Sequence, residues 1–526
     1  MAYTRRSTDM RQPGPQGWLV VALCAVYLLA GLTGHDPWKS EDAIHLGIAH
    51  DLFSGSDWLT PAIAGEPWPD AEPLYHWLAA TSAGLFQALL PFHDGARLAS
   101  AMFGGLFLFM LSGAARHLYG KDAAWGAPLL AIGTLGLLVP IHEAQPTAAI
   151  LATMGGIYWG AALLAERPLA GGLLMGGGLG TSLLAGGAAA SLPLLPLLLI
   201  PLWQRRWVAF AIAVSVAGTI AAAWLLLLAG RQPTFLHAWW SAEWAAIAPR
   251  GGFSINHAEW LGWFAWPVVF IAPWALWRGR RQWSAPQTAV PLLGVVFATG
   301  WFLAHEARTP AALPLLPPLI LLATSAVTEL RRGAANAWDW FGMMTLSIVA
   351  ALIWLGSVAM LTGWPPKIAH NFAKLEPGFV AQFSLPAMTV ALVATAAWIA
   401  MLWRLPRSPW RVASRWAGGV TVVWALITAL WMPWIDYGKT YRPVVAALRQ
   451  ALPADAGCIG RRDLGAPQRA ALDYFGDIRT QRASRDCQWL IVQSGPRETA
   501  PAGWVKAWEG HRPGDRNEWL RLYRRA

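Results

Sequence analysis

The chain has 526 residues, of which 56% are hydrophobic and only 13% charged, about half the ~25% charged share of a soluble globular protein. With 51 glycines, 35 tryptophans and a net charge of +11, this composition excludes a cytosolic enzyme, a disordered chain and a disulfide-stapled mini-protein, and describes a polytopic membrane protein. The basic residues sit in short clusters between apolar runs, which is how a chain sets its orientation in a bilayer. They form no nucleic-acid surface, so no nucleic-acid partner is expected.

Arg5, Arg6 and Arg11 precede an apolar run over 18–33 that lacks a small-residue cleavage site, which predicts an uncleaved first span. A polar stretch (34–72) and a semi-apolar one (73–92) follow as a first outer loop. Asp36, Glu41, Asp42, Asp51, Asp57, Glu66, Asp70 and Glu72 place 8 of the 29 acids there. Within it, Ile44, Ile48 and Leu52 recur at helical spacing after Glu41-Asp42 and predict a one-sided helix at the membrane interface.

Twelve further apolar stretches are expected near 98–116, 122–141, 147–165, 168–187, 189–203, 207–229, 260–277, 287–304, 311–329, 339–362, 384–403 and 416–435, each near the length a bilayer needs. Thirteen spans with a cytoplasmic N-terminus put Arg116/Lys121, Glu166/Arg167, Arg205/Arg206, Arg278/Arg280/Arg281, Arg331/Arg332 and Arg404/Arg407/Arg411/Arg415 inside. Nearly all these loops are net positive, as the positive-inside rule requires. The C-terminal tail then lies in the periplasm of a bacterial inner membrane.

Beyond span ends such as Asp122 and Asp339, the spans show no ionisable groups, which argues against an ion-coupled transporter and leaves a passive lipid flippase open. Polar residues gather at the outer edges instead: His142/Glu143, a loop from Arg231 to Glu259, and His305/Glu306/Arg308. The tail, 436–526, holds 16 Lys and Arg and 10 Asp and Glu. A helix over 441–452 and strands over 489–493, 504–508 and 518–523 predict a small α/β or α+β domain after an all-α membrane domain of residues 1–435. Cys458 and Cys487 either pair in the oxidising compartment or stay free thiols.

Several segments carry a family resemblance. Glu41-Asp42, Ile48-Ala-His-Asp-Leu52, Ser56-Asp-Trp-Leu-Thr-Pro61 and Asp70-Ala-Glu-Pro-Leu-Tyr-His-Trp77 resemble the bacterial polyprenyl-phosphate-sugar glycosyltransferases of the C-type superfamily, which include protein O-mannosyltransferases and the lipid A aminoarabinose transferase. The family pattern is an acidic pair, a helix ending Ile-Ala-x-x-Leu, Gly-Asp-Trp-x-x-Pro, then Glu-Lys-Pro-Pro-Leu-Tyr-Tyr-Trp. His305-Glu-Ala-Arg-Thr-Pro-Ala-Ala-Leu-Pro-Leu-Leu-Pro-Pro318 resembles the family's basic residue followed by Tyr-Leu-Leu-Pro-x-x-Pro. The chain departs from the pattern at Glu41 for the leading Asp, Ala71 for Lys, Thr147 for an acid and Ala311 for Tyr.

The resemblance implies transfer of a sugar from undecaprenyl phosphate, with inversion, to a periplasmic acceptor such as lipid A, an envelope glycan or a protein. Such transfer needs a carboxylate for the acceptor, cations for the departing phosphate, and an apolar groove. By motif position Glu41 is the base and Asp42 its orienting partner or understudy, unless the two acids only cap the helix they begin. Asp70 stands where the aminoarabinose transferases have a glutamate that helps hold a metal, with Glu72 as its substitute. Arg308 is the candidate phosphate ligand, with His305 beside it, and Tyr75 and His76 are candidate substrate contacts. No spacing matches a zinc motif, so no metal is assigned and a divalent ion stays open. A non-catalytic flippase and an inactive lipid-binding relative are the alternatives.

Overall fold

The computed structural model describes residues 17–406, 408–482 and 487–526; Arg5, Arg6, Arg11 and Arg407 lie outside the described residues. The N-terminal half runs α1 (Gly17–Leu29), α2 (Glu41–Phe53), a two-strand hairpin β1 (Ala62–Ile63) and β2 (Glu66–Pro67), α3 (Pro73–Phe86), α4 (Phe92–Tyr119), α5 (Ala123–Ile132), α6 (Thr147–Leu163) and α7 (Pro168–Ser191). Among the described residues, eight helices are long and apolar enough to cross a membrane. A ninth is counted if Ile255–Phe264 and Val268–Arg278, bent by 97° against each other, make one span. α1, α5 and α6 are shorter apolar helices.

The expected thirteen separate spans are therefore not reproduced. Residues 168–187 and 189–203 belong to one stretch, Pro168–Trp203, interrupted by non-helical backbone at Gly186 and Gly187. Gly187 has φ +64°, and a Cβ there would lie 2.3 Å from Oε1 of Glu243. That carboxylate accepts from the freed N–H of Ala188, so the second half of the broken helix starts on an acidic cap.

Small residues set how closely the spans pack. A Cβ on Gly160 of α6 would come within 2.6 Å of the Gly171 carbonyl of α7, so those backbones approach as only glycine allows. The membrane body's core is a continuous apolar cluster that includes Phe107, Leu130, Tyr158, Phe302, Leu316 and Leu426.

α4 begins at Phe92, six residues before the expected start, and so carries His93, Asp94 and Arg97 in its first two turns. These ionisable groups were not foreseen within a span. α2 also differs from expectation, because it is buried on more than one side. A tail helix, Ala466–Gly476, covers its second face: a Cβ on Gly47 would sit 2.6 Å from Cβ of Ala470.

The tail folds as a five-stranded mixed sheet over helices Arg442–Ala451 and Ala466–Gly476. Its strands are β3 (Ile459–Arg462), β4 (Gln481–Arg482), β5 (Trp489–Ser494), β6 (Trp504–His511) and β7 (Trp519–Arg525), in spatial order β4-β3-β5-β7-β6. β3 pairs in parallel with β4 and β5, while β7 is antiparallel to β5 and β6. The expected helix and three strands fall within one to three residues of these bounds. Cys458 and Cys487 form a disulfide just ahead of the paired strands β3 and β5.

The acidic loop is the seat of this domain. Arg461 and Arg469 bind Glu66, Arg479 binds Asp51, Arg442 binds Asp36, and Lys39 binds Glu518. Loop and tail therefore share one face of the membrane body.

Candidate active site on the loop face

Eight acids in one short loop could all be catalytic by composition; their partners separate them. Asp36, Asp51 and Glu66 are engaged by tail arginines. Asp57 accepts from Gln232 at 3.0 Å. Asp42, 1% exposed, is bound by Arg97, whose Nε lies 3.1 Å from Oδ1 and Nη2 2.7 Å from Oδ2. The backbone N–H groups of Ala144 (2.7 Å) and Trp38 (3.1 Å) complete its shell.

Arg97 is itself fully buried, and its remaining N–H groups go to the carbonyls of His35 and Asp36 and to Asp94. All five guanidinium donors are used. Burial opposes the charge of Asp42, but Arg97 holds its carboxyl below the usual carboxylate range. The expected role of Asp42 as an understudy base is corrected by this geometry: every lone pair is occupied and no face is open. It orients the start of α2 from beneath, tying that helix to α4 and to the backbone before α6.

Glu41 is the neighbour left facing out. Its side chain is 56% exposed, and its one ionic partner among the described residues is His45, one turn along α2, with Oε2 3.4 Å from Nε2. His45 holds the Glu41 carboxyl below its ordinary range. Glu143, from the segment before α6, senses the charges of both Glu41 and Asp42; burial and the Asp42 charge push its carboxyl up to about 7. Lys439 acts on Glu143 in the opposite sense, and its ammonium stands 4.5 Å over the ring of Trp38. This neighbourhood therefore combines a carboxylate, a carboxyl that titrates near neutrality and a cation.

The remaining expected residues are distributed unevenly. Tyr75 is fully buried, with its hydroxyl 2.8 Å from that of Ser100, so it supports the site without touching a substrate. His76 is also fully buried, against His45, and is corrected in the same way. Glu72 turns inward toward Glu243 and the indole N–H of Trp239 (3.4 Å); burial and the Glu243 charge raise its carboxyl. Asp70 is exposed, close enough to raise Glu243 electrostatically. Among the described residues no three His, Cys, Asp or Glu side chains gather as metal ligands. The metal that the resemblance attaches to the Asp70 position thus has no built donor set here, and no step is drawn through one.

His305 stacks on Trp301 at 4.0 Å and bonds backbone carbonyls of Trp301 and Ile247, a loop-holding role rather than a substrate contact. Arg308 is 74% exposed and paired with Glu306; among the described residues no hydrogen bond or ion pair links it to Glu41 or Glu143.

Arg97, Asp94, His45 and Lys439 were not singled out from the sequence. Asp94 and Arg97 at i,i+3 on the first turns of an apolar helix, and His45 at i+4 from Glu41, were the available signals.

No family model matches the chain. It is 25% identical over 442 residues, 79% of this chain and 75% of the relative, to an undecaprenyl phosphate-alpha-4-amino-4-deoxy-L-arabinose arabinosyl transferase of Pseudomonas paraeruginosa. A protein of the same name from Pseudomonas aeruginosa is 26% identical over the same shares. The fold is similar to the crystal structure of ArnT from Cupriavidus metallidurans bound to undecaprenyl phosphate, with TM-score 0.69 and 18% identity over 97% of this chain and 98% of that one. It is also similar to the archaeal oligosaccharyltransferase AglB from Archaeoglobus fulgidus, with TM-score 0.50 and 12% identity over 90% and 69% of the two chains.

Proposed function

We propose that this chain, whose fold is similar to that of ArnT, is a multi-pass inner-membrane enzyme that moves a sugar from undecaprenyl phosphate to an acceptor on the periplasmic side, with lipid A, which the resemblance to the aminoarabinose transferases implies, as the first candidate acceptor. The observation that carries the reading is Glu41. Of the loop's eight acids it is one of three, with Asp57 and Asp70, that are exposed and lack a Lys or Arg partner among the described residues, and it alone sits at the family's leading acidic position.

In this reading Glu41 takes the proton of the acceptor O–H as its oxygen attacks the anomeric carbon. The bond from that carbon to the phosphate oxygen breaks with its electron pair passing to the phosphate, and the configuration inverts. Lys439, beside Trp38, and Arg308, by its position in the family motif, are the cations assigned to the phosphate, and charge stabilisation at the leaving group is where they would lower the barrier. Asp42 and Arg97 keep the start of α2 rigid, so that Glu41 is aimed before substrate arrives.

The test is transfer by detergent-purified protein from radiolabelled undecaprenyl-phosphate sugars to lipid A, envelope glycan and protein acceptors. Wild type should transfer, and Glu41→Gln should lose at least about 100-fold, the usual worth of a positioned base. Glu41→Gln transfer at the wild-type rate would remove Glu41 from the site, and absence of transfer to every acceptor would favour a non-catalytic lipid-binding role.

A further inference from the structure

Two buried histidines behind Glu41 form a chain whose proton positions follow from its partners. Nδ1 of His76 lies 2.7 Å from the carbonyl oxygen of Glu72. A carbonyl only accepts, so this nitrogen carries a proton. His76 is fully buried, and burial, followed by the charge of His45, pushes its imidazole down to about 3, so the ring is neutral and Nε2 is a bare lone pair. Nδ1 of His45 lies 2.9 Å from that lone pair and must donate to it. The other nitrogen of His45, Nε2, faces Oε2 of Glu41 at 3.4 Å. Were it bare, two lone pairs would oppose each other; the contact closes only with a proton between them.

We propose that His45 and His76 are positioning residues for Glu41: His76 fixes the tautomer of His45, and His45 then meets Glu41 only through a protonated Nε2, so that acid and imidazole share one proton and the free carboxylate oxygen is kept ionised and aimed at the acceptor. The inference rests on the reading of Glu41 as the base. The acceptor's proton goes to the free oxygen of Glu41 and leaves to solvent from that half-exposed side chain, while the His45 proton stays in place.

The family pattern Leu-Tyr-Tyr-Trp has a tyrosine where this chain has His76, and a tyrosine hydroxyl has no fixed tautomer to impose. The arrangement is therefore a property of this chain's own residues. It is also enclosed. From α2, Asp42 is neutralised by Arg97 of α4. From α3, the ring of Tyr75 stands edge-on to His45 at 6.5 Å and the Glu72 carbonyl is already bonded. Ser40 bonds Glu41 from the preceding turn. The other charged groups that act electrostatically in this neighbourhood are Glu143, which senses Glu41, and Lys439, which acts on Glu143. Among the described residues, His45 is the basic side chain in contact with Glu41.

The first arm of the test needs no activity: nitrogen-15 NMR of histidine-labelled full-length protein in nanodiscs, with His45→Gln and His76→Gln to assign the signals. Wild type should show a neutral His76 protonated at Nδ1 that does not titrate between about pH 5 and 8, and a His45 that carries a proton on Nδ1 and whose Nε2 signal changes in Glu41→Gln, as loss of the carboxylate contact requires. His45 nitrogen signals indifferent to both Glu41→Gln and His76→Gln overturn the proposal.

The second arm is the pH profile of kcat/KM. In His45→Gln and His76→Gln the acid limb should move upward by about one unit, since Glu41 loses its cationic partner, whereas a merely structural loss would lower activity equally at every pH. If Glu41→Gln abolishes transfer while both histidine variants keep the wild-type profile, the histidine pair fails and the site stands. If Glu41→Gln transfers normally while the NMR coupling is present, the pair exists and the functional reading fails.

Discussion

Asp42 and Glu41 are adjacent in sequence and opposite in circumstance. One has its oxygens filled by Arg97 and two backbone N–H groups; the other has an open face. Removing one member of a buried pair leaves an uncompensated charge, which costs about 3–5 kcal/mol. Asp42→Asn is therefore expected to destabilise by that order, read as a lower detergent unfolding temperature, whereas Glu41→Gln should leave stability near wild type.

Glu143 gives a prediction of its own sign. Its folded-state midpoint of about 7 lies above the ~4.3 of a free glutamate, so the fold favours the neutral form. The associated stability is complete below about pH 4.3 and is lost as pH rises through about 7. Glu143→Gln, neutral at every pH, should melt with wild type near pH 4 and above it near pH 8; parallel curves across that window would refute the assignment.

At the scale of elements, α2 is the part whose environment the sequence misrepresents. Ile44, Ile48 and Leu52 recur at helical spacing, but the sides left over are Gly47 and Ala43, small residues that admit a second packing partner. The tail helix Ala466–Gly476 takes that place, with Ala470 against Gly47. Gly47→Leu puts four carbons into a gap that has no room for one. It should wedge the tail off α2, detected as faster limited proteolysis within 440–526 while the membrane body stays intact. Unchanged proteolysis would mean that the ionic contacts alone seat the domain.

For the whole molecule, the shared face of loop and tail makes orientation one question rather than two. We propose that this face is periplasmic. Ser54→Cys, exposed on the loop, should react in intact spheroplasts with a membrane-impermeant maleimide, and Ser284→Cys, in the basic segment after Arg281, only after permeabilisation. Background is small because Cys458 and Cys487 are paired and Cys24 is half-buried in α1. The reverse labelling pattern would turn the molecule over.

Hydropathy and the loop motifs were enough to specify an all-α membrane body with a small mixed tail, and to point to residues 41–42. Both are properties of short stretches: a run of apolar side chains long enough for a bilayer, an acidic pair at a fixed offset from Asp-Trp-x-x-Pro and Pro-Leu-Tyr. Span boundaries were not legible, because a glycine break such as Gly186–Gly187 is as apolar as the helix it interrupts, and because Asp94 and Arg97 hide in a helix start once the guanidinium is shared between Asp94 and Asp42. Which acid is reactive was not legible either. Charge availability depends on what lies opposite in space, and the partners that silence Asp36, Asp42, Asp51 and Glu66 come from as far away as residues 97, 442, 461 and 479. Local pattern determined the body and the neighbourhood; only the folded chain, by pairing distant charges, decided which carboxylates stay exposed without a Lys or Arg partner.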